Sequence, residues 1–119
     1  MILYRPVGTA EFKLIEESGY KCFPPRLPEQ PIFYPVLNKR YADEISARWN
    51  VKETSDHMGY VTRFEVEDDY ISQFEVHTVG RSYHQELWIP AEELDSFNHH
   101  LIGLITVIDT FSNSNNAGI

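Results

Sequence analysis

Several residue patterns that mark particular protein classes are scarce or missing in this sequence. Its 119 residues include one cysteine, Cys22, which excludes an internal disulfide and fits a reducing cytosolic compartment. No apolar run is long enough for a membrane-spanning helix, and the apolar start is too short for a signal peptide. No spacing of cysteine and histidine predicts a metal site. We therefore expect a cytoplasmic protein with neither a membrane anchor nor a bound metal.

Basic residues are also scarce. The 10 lysine and arginine residues are outnumbered by 18 aspartate and glutamate residues, which gives a net charge of −8. Such a surface repels phosphate backbones, so we expect no binding to long nucleic acids, while a local pocket for a short nucleotide stays open. Aromatic residues, by contrast, make up 13% of the chain, and they fill cores and stack on flat ligands.

The order of the predicted elements indicates an α+β fold. The length suits one domain, at residues 1–111, followed by a flexible tail at 112–119. Helices are predicted at 10–18, at 39–49 and, as a short segment, after Pro90. The predicted strands cover residues 2–7, 32–37, 60–67, 74–79, 84–89 and 101–111. Because strands dominate the second half, we expect mixed, mostly antiparallel sheets with two or three short helices.

A histidine and a glutamate interrupt an apolar strand late in the chain. In the stretch Tyr83–Pro90, alternation places His84, Glu86 and Trp88 on one face of the strand. A carboxylate among leucine, tryptophan and isoleucine is costly to bury without a partner. Either an arginine of a neighbouring strand pairs with Glu86, or Glu86 belongs to a ligand site, and the sequence leaves both alternatives open.

Four short segments form a distinctive set. They are LYRPVG at residues 3–8, FPPR at 23–26, PIFYPVLN at 31–38 and QELWIP at 85–90. The set resembles a family of small bacterial proteins labelled "ADP-ribosylation/crystallin", over about residues 2 to 111. The element order also resembles the ADP-ribosyltransferase fold, which begins with a strand carrying Arg or His and ends with a strand bearing a glutamate. The resemblance implies an ADP-ribosyltransferase-like protein with NAD as a possible substrate.

The resemblance also implies roles for individual residues. Arg5 matches the first-strand residue that anchors NAD, and Tyr34 matches the aromatic that stacks against nicotinamide. Glu86 matches the catalytic glutamate, and His84 stands two residues before it, where a residue that tunes the acceptor is found. Arg26 is a second candidate for the pyrophosphate, because the planar fork of an arginine matches pairs of phosphate oxygens.

These residue types suit the chemistry of ADP-ribosyl transfer. The reaction breaks the bond between nicotinamide and ribose through an oxocarbenium-like transition state, as in glycoside hydrolysis. A fixed carboxylate stabilises that charge, so Glu86 is the candidate catalytic group. His84 would orient or deprotonate the nucleophile, and Tyr60 is a second candidate for stacking on nicotinamide.

Plainer interpretations of the same residues stay open. Arg5 would then form an ion pair at the end of its strand, and Arg26 would brace the proline-rich segment by bonding backbone carbonyls. Tyr34 would belong to the core, and His84 would be a hydrogen-bonded or surface histidine. The alternative function is a non-catalytic binding or regulatory module of the same fold, with a nucleotide-like ligand or a protein partner. A third candidate is a phosphate-processing relative.

Overall fold

Seven strands and four α-helices build the described part of the chain, residues 1–50 and 56–112 of a computed structural model. The strands are β1 (Ile2–Val7), β2 (Ile32–Phe33), β3 (Met58–Val66), β4 (Val76–Thr78), β5 (Gln85–Leu87), β6 (Ile89–Pro90) and β7 (Leu101–Ser112). The helices are α1 (Thr9–Glu17), α2 (Lys39–Ile45), α3 (Asp68–Ile71) and α4 (Leu94–His99). A π-helical turn, Ser46–Asn50, continues α2, and a 3₁₀ turn, Ala91–Glu93, leads into α4. No helix in these ranges has the length and hydropathy to cross a membrane.

The strands form three antiparallel groups. The largest has the order β1-β3-β7, and the smaller pairs are β2-β6 and β4-β5. Single backbone bridges from Val36 to Tyr4 and to Glu86 connect β1 with β5. The α+β prediction with mostly antiparallel sheets is therefore confirmed. Helix α3 was not predicted, because four residues are too few to show a helical period.

Three predicted strands are shorter or divided in the structure, and the one expected at 74–79 is β4, Val76–Thr78. The strand expected at 32–37 ends as β2 at Phe33, and only Val36 pairs again, because Pro35 has no N–H to offer a neighbouring strand. The strand expected at 84–89 is divided at Trp88 into β5 and β6, which pair with different partners. The predicted tail beyond Ser112 lies outside the described residues.

A cluster of phenylalanines forms the centre of the core. Phe23 of the proline-rich segment packs against Phe33, Phe64 and Phe97, with ring centroids 5.1, 4.8 and 6.3 Å away. The side chain of Asn98 holds the backbone of Phe23 at both ends, accepting from its N–H at 2.9 Å and donating to its carbonyl at 3.0 Å. The proline-rich segment is therefore held in place at Phe23, three residues before Arg26.

Asn38 fixes the start of α2 and thereby the direction in which the side chains of this helix point. Its Oδ1 accepts from the backbone N–H of Tyr41 at 2.8 Å, and its Nδ2 donates to the carbonyl of Tyr83 at 2.6 Å. This is an N-cap that also ties the helix to the segment before β5. Tyr41 and Ile45, one turn apart, both line the same cleft. The side chain of Trp49, at the end of the helix predicted at 39–49, is outside what the structure describes.

Candidate functional site

A cleft of about 590 Å³ opens where β1 and β5 approach the segment that follows β2. Val36 exchanges two backbone hydrogen bonds with Tyr4, at 2.9 and 2.8 Å, and Leu37 donates to the carbonyl of Gln85 at 3.0 Å. This segment therefore lies between the two strands and brings their side chains together. The cleft is lined by Arg5, Tyr34, Val36, Tyr41, Glu86 and Trp88, among others.

Three of the five predicted site residues, Arg5, Tyr34 and Glu86, line this cleft. The other two, His84 and Arg26, are not among its lining residues. His84 lies directly behind Tyr41, which lines the cleft, and Arg26 lies behind Glu11, which contacts Arg5. The sequence pattern thus identified most of the cleft's polar side chains, although these come from well-separated stretches of the chain.

Glu86 is held by two neutral donors. The hydroxyl of Tyr41 donates to Oε2 at 2.9 Å, and the indole N–H of Trp88 donates to Oε1 at 2.8 Å. Among the described residues, none of the ion pairs involves Glu86, so the expected pairing with an arginine is not found. The carboxylate is therefore fixed in orientation, and no cation of residues 1–50 and 56–112 pairs with it.

Tyr41 connects Glu86 to His84. Its ring stacks on the imidazole of His84 with centroids 4.6 Å apart and an angle of 25° between the planes. Burial, reinforced by the hydrogen bond to the Glu86 carboxylate, raises the pKa of Tyr41 to about 12. At neutral pH Tyr41 is consequently a protonated phenol, which makes it a permanent donor to Glu86.

The Tyr41→Phe substitution removes this donor and keeps the ring that stacks on His84. We expect a loss of about 1 kcal/mol in the free energy of unfolding, because a hydrogen bond to a charged, partly buried group is lost. Urea denaturation measures the loss. The Tyr34→Phe substitution is the matched control, since no hydrogen bond of the Tyr34 hydroxyl is found among the described residues, and it is expected to change stability by less than about 0.5 kcal/mol. Equal effects of the two substitutions would contradict the assignment.

His84 has both ring nitrogens engaged. Its Nε2 lies 2.8 Å from Oε2 of Glu44, and its Nδ1 accepts from the backbone N–H of Arg81 at 3.1 Å. Because Nδ1 accepts, Nε2 carries the hydrogen and donates to Glu44. Glu44 also accepts from the hydroxyl of Tyr83, and this bond and the one from His84 lower the pKa of Glu44. His84 is thus a hydrogen-bonded histidine that supports Tyr41 from behind.

Arg5 faces inward on β1, in the same row as the buried Leu3 and Val7. Its Nε and Nη2 donate to the two carboxylate oxygens of Glu11 at 2.7 and 2.9 Å, and its Nη1 lies 3.4 Å from the carbonyl of Tyr34. The guanidinium also lies 4.5 Å from the centroid of the Phe33 ring. The ion pair allowed by the plainer interpretation is therefore present, and Glu11 neutralises the positive charge at this wall of the cleft.

Arg26 approaches the same carboxylate from the proline-rich segment. Its Nη1 lies 3.9 Å from Oε1 of Glu11, while its buried Nε has no hydrogen-bond partner. Burial and the nearby charge of Arg5 lower its pKa. No bond from this guanidinium to a backbone carbonyl occurs within residues 1–50 and 56–112, so the expected bracing of the segment is not found. Two arginines therefore share one glutamate, and the sequence did not reveal that role of Glu11.

Two further aromatic residues differ from expectation. Tyr60 stacks on Phe12, with centroids 4.4 Å apart, and does not line the cleft. Trp88 does line it and is 43% exposed, although it was not predicted as a site residue. The two-residue spacing from Glu86 was the available signal, because it places both side chains on one face of the strand.

Comparison with known proteins returned no match. No protein-family profile, no curated protein and no solved structure matches this chain.

Proposed function

We propose that this protein is ADP-ribosyltransferase-like and binds NAD, or another ligand that contains ADP-ribose, in the cleft of Arg5, Tyr34 and Glu86. The observation that carries the proposal is the convergence of these three side chains on one cleft. The sequence resemblance had named them separately, from three stretches of the chain. The cleft volume of about 590 Å³ falls in the usual range for small-molecule sites, roughly 300 to 1,000 Å³.

The environment of Glu86 suits the proposed reaction. A carboxylate without a cationic partner stabilises the positive charge that develops on the ribose when the bond to nicotinamide breaks. The donors Tyr41 and Trp88 fix its position before the substrate arrives, so little reorganisation is needed.

The contacts of Arg5, Arg26 and His84 favour roles that differ from those implied by the resemblance. Arg5 offers the second N–H of its Nη1 to the cleft, since Nε and Nη2 are engaged by Glu11 and Nη1 also donates to the carbonyl of Tyr34 at 3.4 Å. Arg26 acts at longer range, as a second positive charge behind that wall. His84 acts through the ring of Tyr41 as a positioning residue, because both of its nitrogens are engaged elsewhere.

The proposal is tested by incubating the purified protein with millimolar NAD and separating the products by chromatography. We expect free nicotinamide to accumulate in proportion to protein concentration. Isothermal titration with ADP-ribose supplies a second, turnover-independent readout, for which we expect saturable binding. The absence of both nicotinamide release and ADP-ribose binding would contradict the proposal.

A second candidate is a module that binds the same ligand without turning it over. The observation that favours it is that Glu44 and the Arg81 amide engage both nitrogens of His84, which leaves this histidine no free nitrogen for a nucleophile. Saturable binding of ADP-ribose together with no nicotinamide release would distinguish this candidate from the enzyme.

A further inference from the structure

Trp88 is held rigidly although a large part of it is exposed. Its indole N–H donates to Glu86 at 2.8 Å, and one of its faces stacks on the ring of His77, with centroids 3.7 Å apart and an angle of 6° between the planes. His77 pairs with Glu86 across β4 and β5, so its ring reaches the diagonal neighbour. Trp88 is nevertheless 43% exposed on the wall of the cleft. Trp88 is therefore fixed in position, with His77 on one face of the indole and much of its remaining surface open at the cleft.

The charges around this surface favour a cation. Glu86 and Arg5 are the two residues with formal charges among the cleft's described lining residues. The charge of Arg5 is matched by Glu11 at 2.7 Å, while Glu86 has no cationic partner there. Arg26 adds a second positive charge on the side of Glu11, whereas the charge next to Trp88 is the carboxylate of Glu86. The face of an indole also attracts cations more strongly than any other aromatic side chain.

We propose that Trp88 is a stacking platform for a planar cationic ring, and that this ring is the oxidised nicotinamide of NAD. The identification of the ring rests on the proposed function, whereas the preference for a planar cation rests on Trp88 and Glu86 alone. The indole N–H donates to Glu86, so a ring stacked on the indole lies near that carboxylate. The bond between the ring nitrogen and the ribose carbon is then brought beside Glu86.

The platform would act differently on substrate and product. When the bond breaks, its electron pair goes to the ring nitrogen, and the nicotinamide that leaves is neutral. The ribose carbon carries the positive charge until an oxygen of water or of an acceptor hydroxyl attacks and releases its proton to solvent. The departing ring has lost the charge that the indole face and Glu86 attract. Trp88 therefore favours the bound substrate over the product.

The test compares 1-methylnicotinamide, a planar cation, with nicotinamide, its neutral relative. Each is titrated into the ¹⁵N-labelled protein while the indole N–H signals are followed, and the chain has 2 tryptophans, so Trp49→Phe assigns the signal of Trp88. We expect the Trp88 signal to shift with saturation, and the cation to bind at least about fivefold more tightly than the neutral ring. Equal affinity for the two compounds would overturn the proposal.

Substitutions complete the test. Trp88→Ala should weaken binding of the cation at least about fivefold, Trp88→Phe should weaken it less because a ring face is kept, and Glu86→Gln should reduce the preference for the cation. Backbone amide signals monitor binding to the variants and show that each is folded. Unchanged affinity in folded Trp88→Ala would overturn the platform, even if the wild-type protein cleaves NAD. Trp88-dependent binding of the cation, without binding of NAD or ADP-ribose, would support the platform and contradict the proposed function.

Discussion

The Glu86→Gln substitution is expected to lower nicotinamide release from NAD by about a thousandfold. Glutamine keeps the shape of the side chain and one acceptor oxygen for Tyr41 or Trp88, but it carries no charge to stabilise the oxocarbenium-like transition state. The variant should still fold, because Glu86 forms no ion pair among the described residues, and the loss of one of its two hydrogen bonds should lower stability by only about 1 kcal/mol. Product analysis by chromatography and thermal unfolding of the same samples measure the two effects separately.

Glu65→Gln is the matched control for this experiment. It makes the same change of charge on an exposed position of β3, where no side-chain contact is described. We expect its activity to equal that of the wild-type protein. A Glu86→Gln variant that keeps more than half of the wild-type rate would show that the charge of Glu86 does not drive the reaction.

The Glu11→Gln substitution is expected to cost about 3 kcal/mol in the free energy of unfolding. Glu11 is the carboxylate between two guanidiniums, at 2.7 Å from Nε of Arg5 and 3.9 Å from Nη1 of Arg26. The side chain of Arg5 is only 9% exposed, so the loss of its partner leaves a buried charge uncompensated beside a second positive charge. Urea denaturation measures the change.

Glu17→Gln, on the same helix, separates this effect from a general loss of negative charge. Glu17 is exposed, and no hydrogen bond or ion pair of its side chain occurs in the described ranges. We expect a change within about 0.5 kcal/mol. A similar small change for Glu11→Gln would mean that water or another group compensates Arg5, and that the cluster contributes little to stability.

Strong local patterns in the sequence predicted their elements well. The alternation between Tyr60 and Glu67 corresponds to β3, and the helix predicted at 39–49 begins at Lys39 as α2. Elements whose bounds depend on pairing with distant strands were harder to predict from the sequence. The divided strand at Trp88 follows from its two sides pairing with different neighbours, which no local pattern records.

In the candidate site too, residues with an unusual local pattern could be predicted, and residues whose roles depend on distant partners could not. Glu86 could be found because a carboxylate in an apolar strand is chemically unusual. Tyr41 could not be found from the sequence, because its spacing from Ile45 is equally typical of a helix face packed in the core. Helical periodicity does not predict which group the Tyr41 hydroxyl binds. Glu11 was equally hidden. An acidic residue in the first turn of a helix, such as Glu11 in α1, needs no further explanation. Its bond to Arg5 depends on how the chain reverses between β1 and α1.

The most direct test of the central claim is a map of where NAD binds. NAD is titrated into the ¹⁵N-labelled Glu86→Gln variant, in which turnover is suppressed, and the backbone amide signals are followed. The account predicts saturable shifts concentrated at Arg5, Tyr34, Val36, residue 86 and Trp88, around the cleft of about 590 Å³. No saturable shift at millimolar NAD, or shifts concentrated instead at the separate groove of Cys22 and His99, would contradict it.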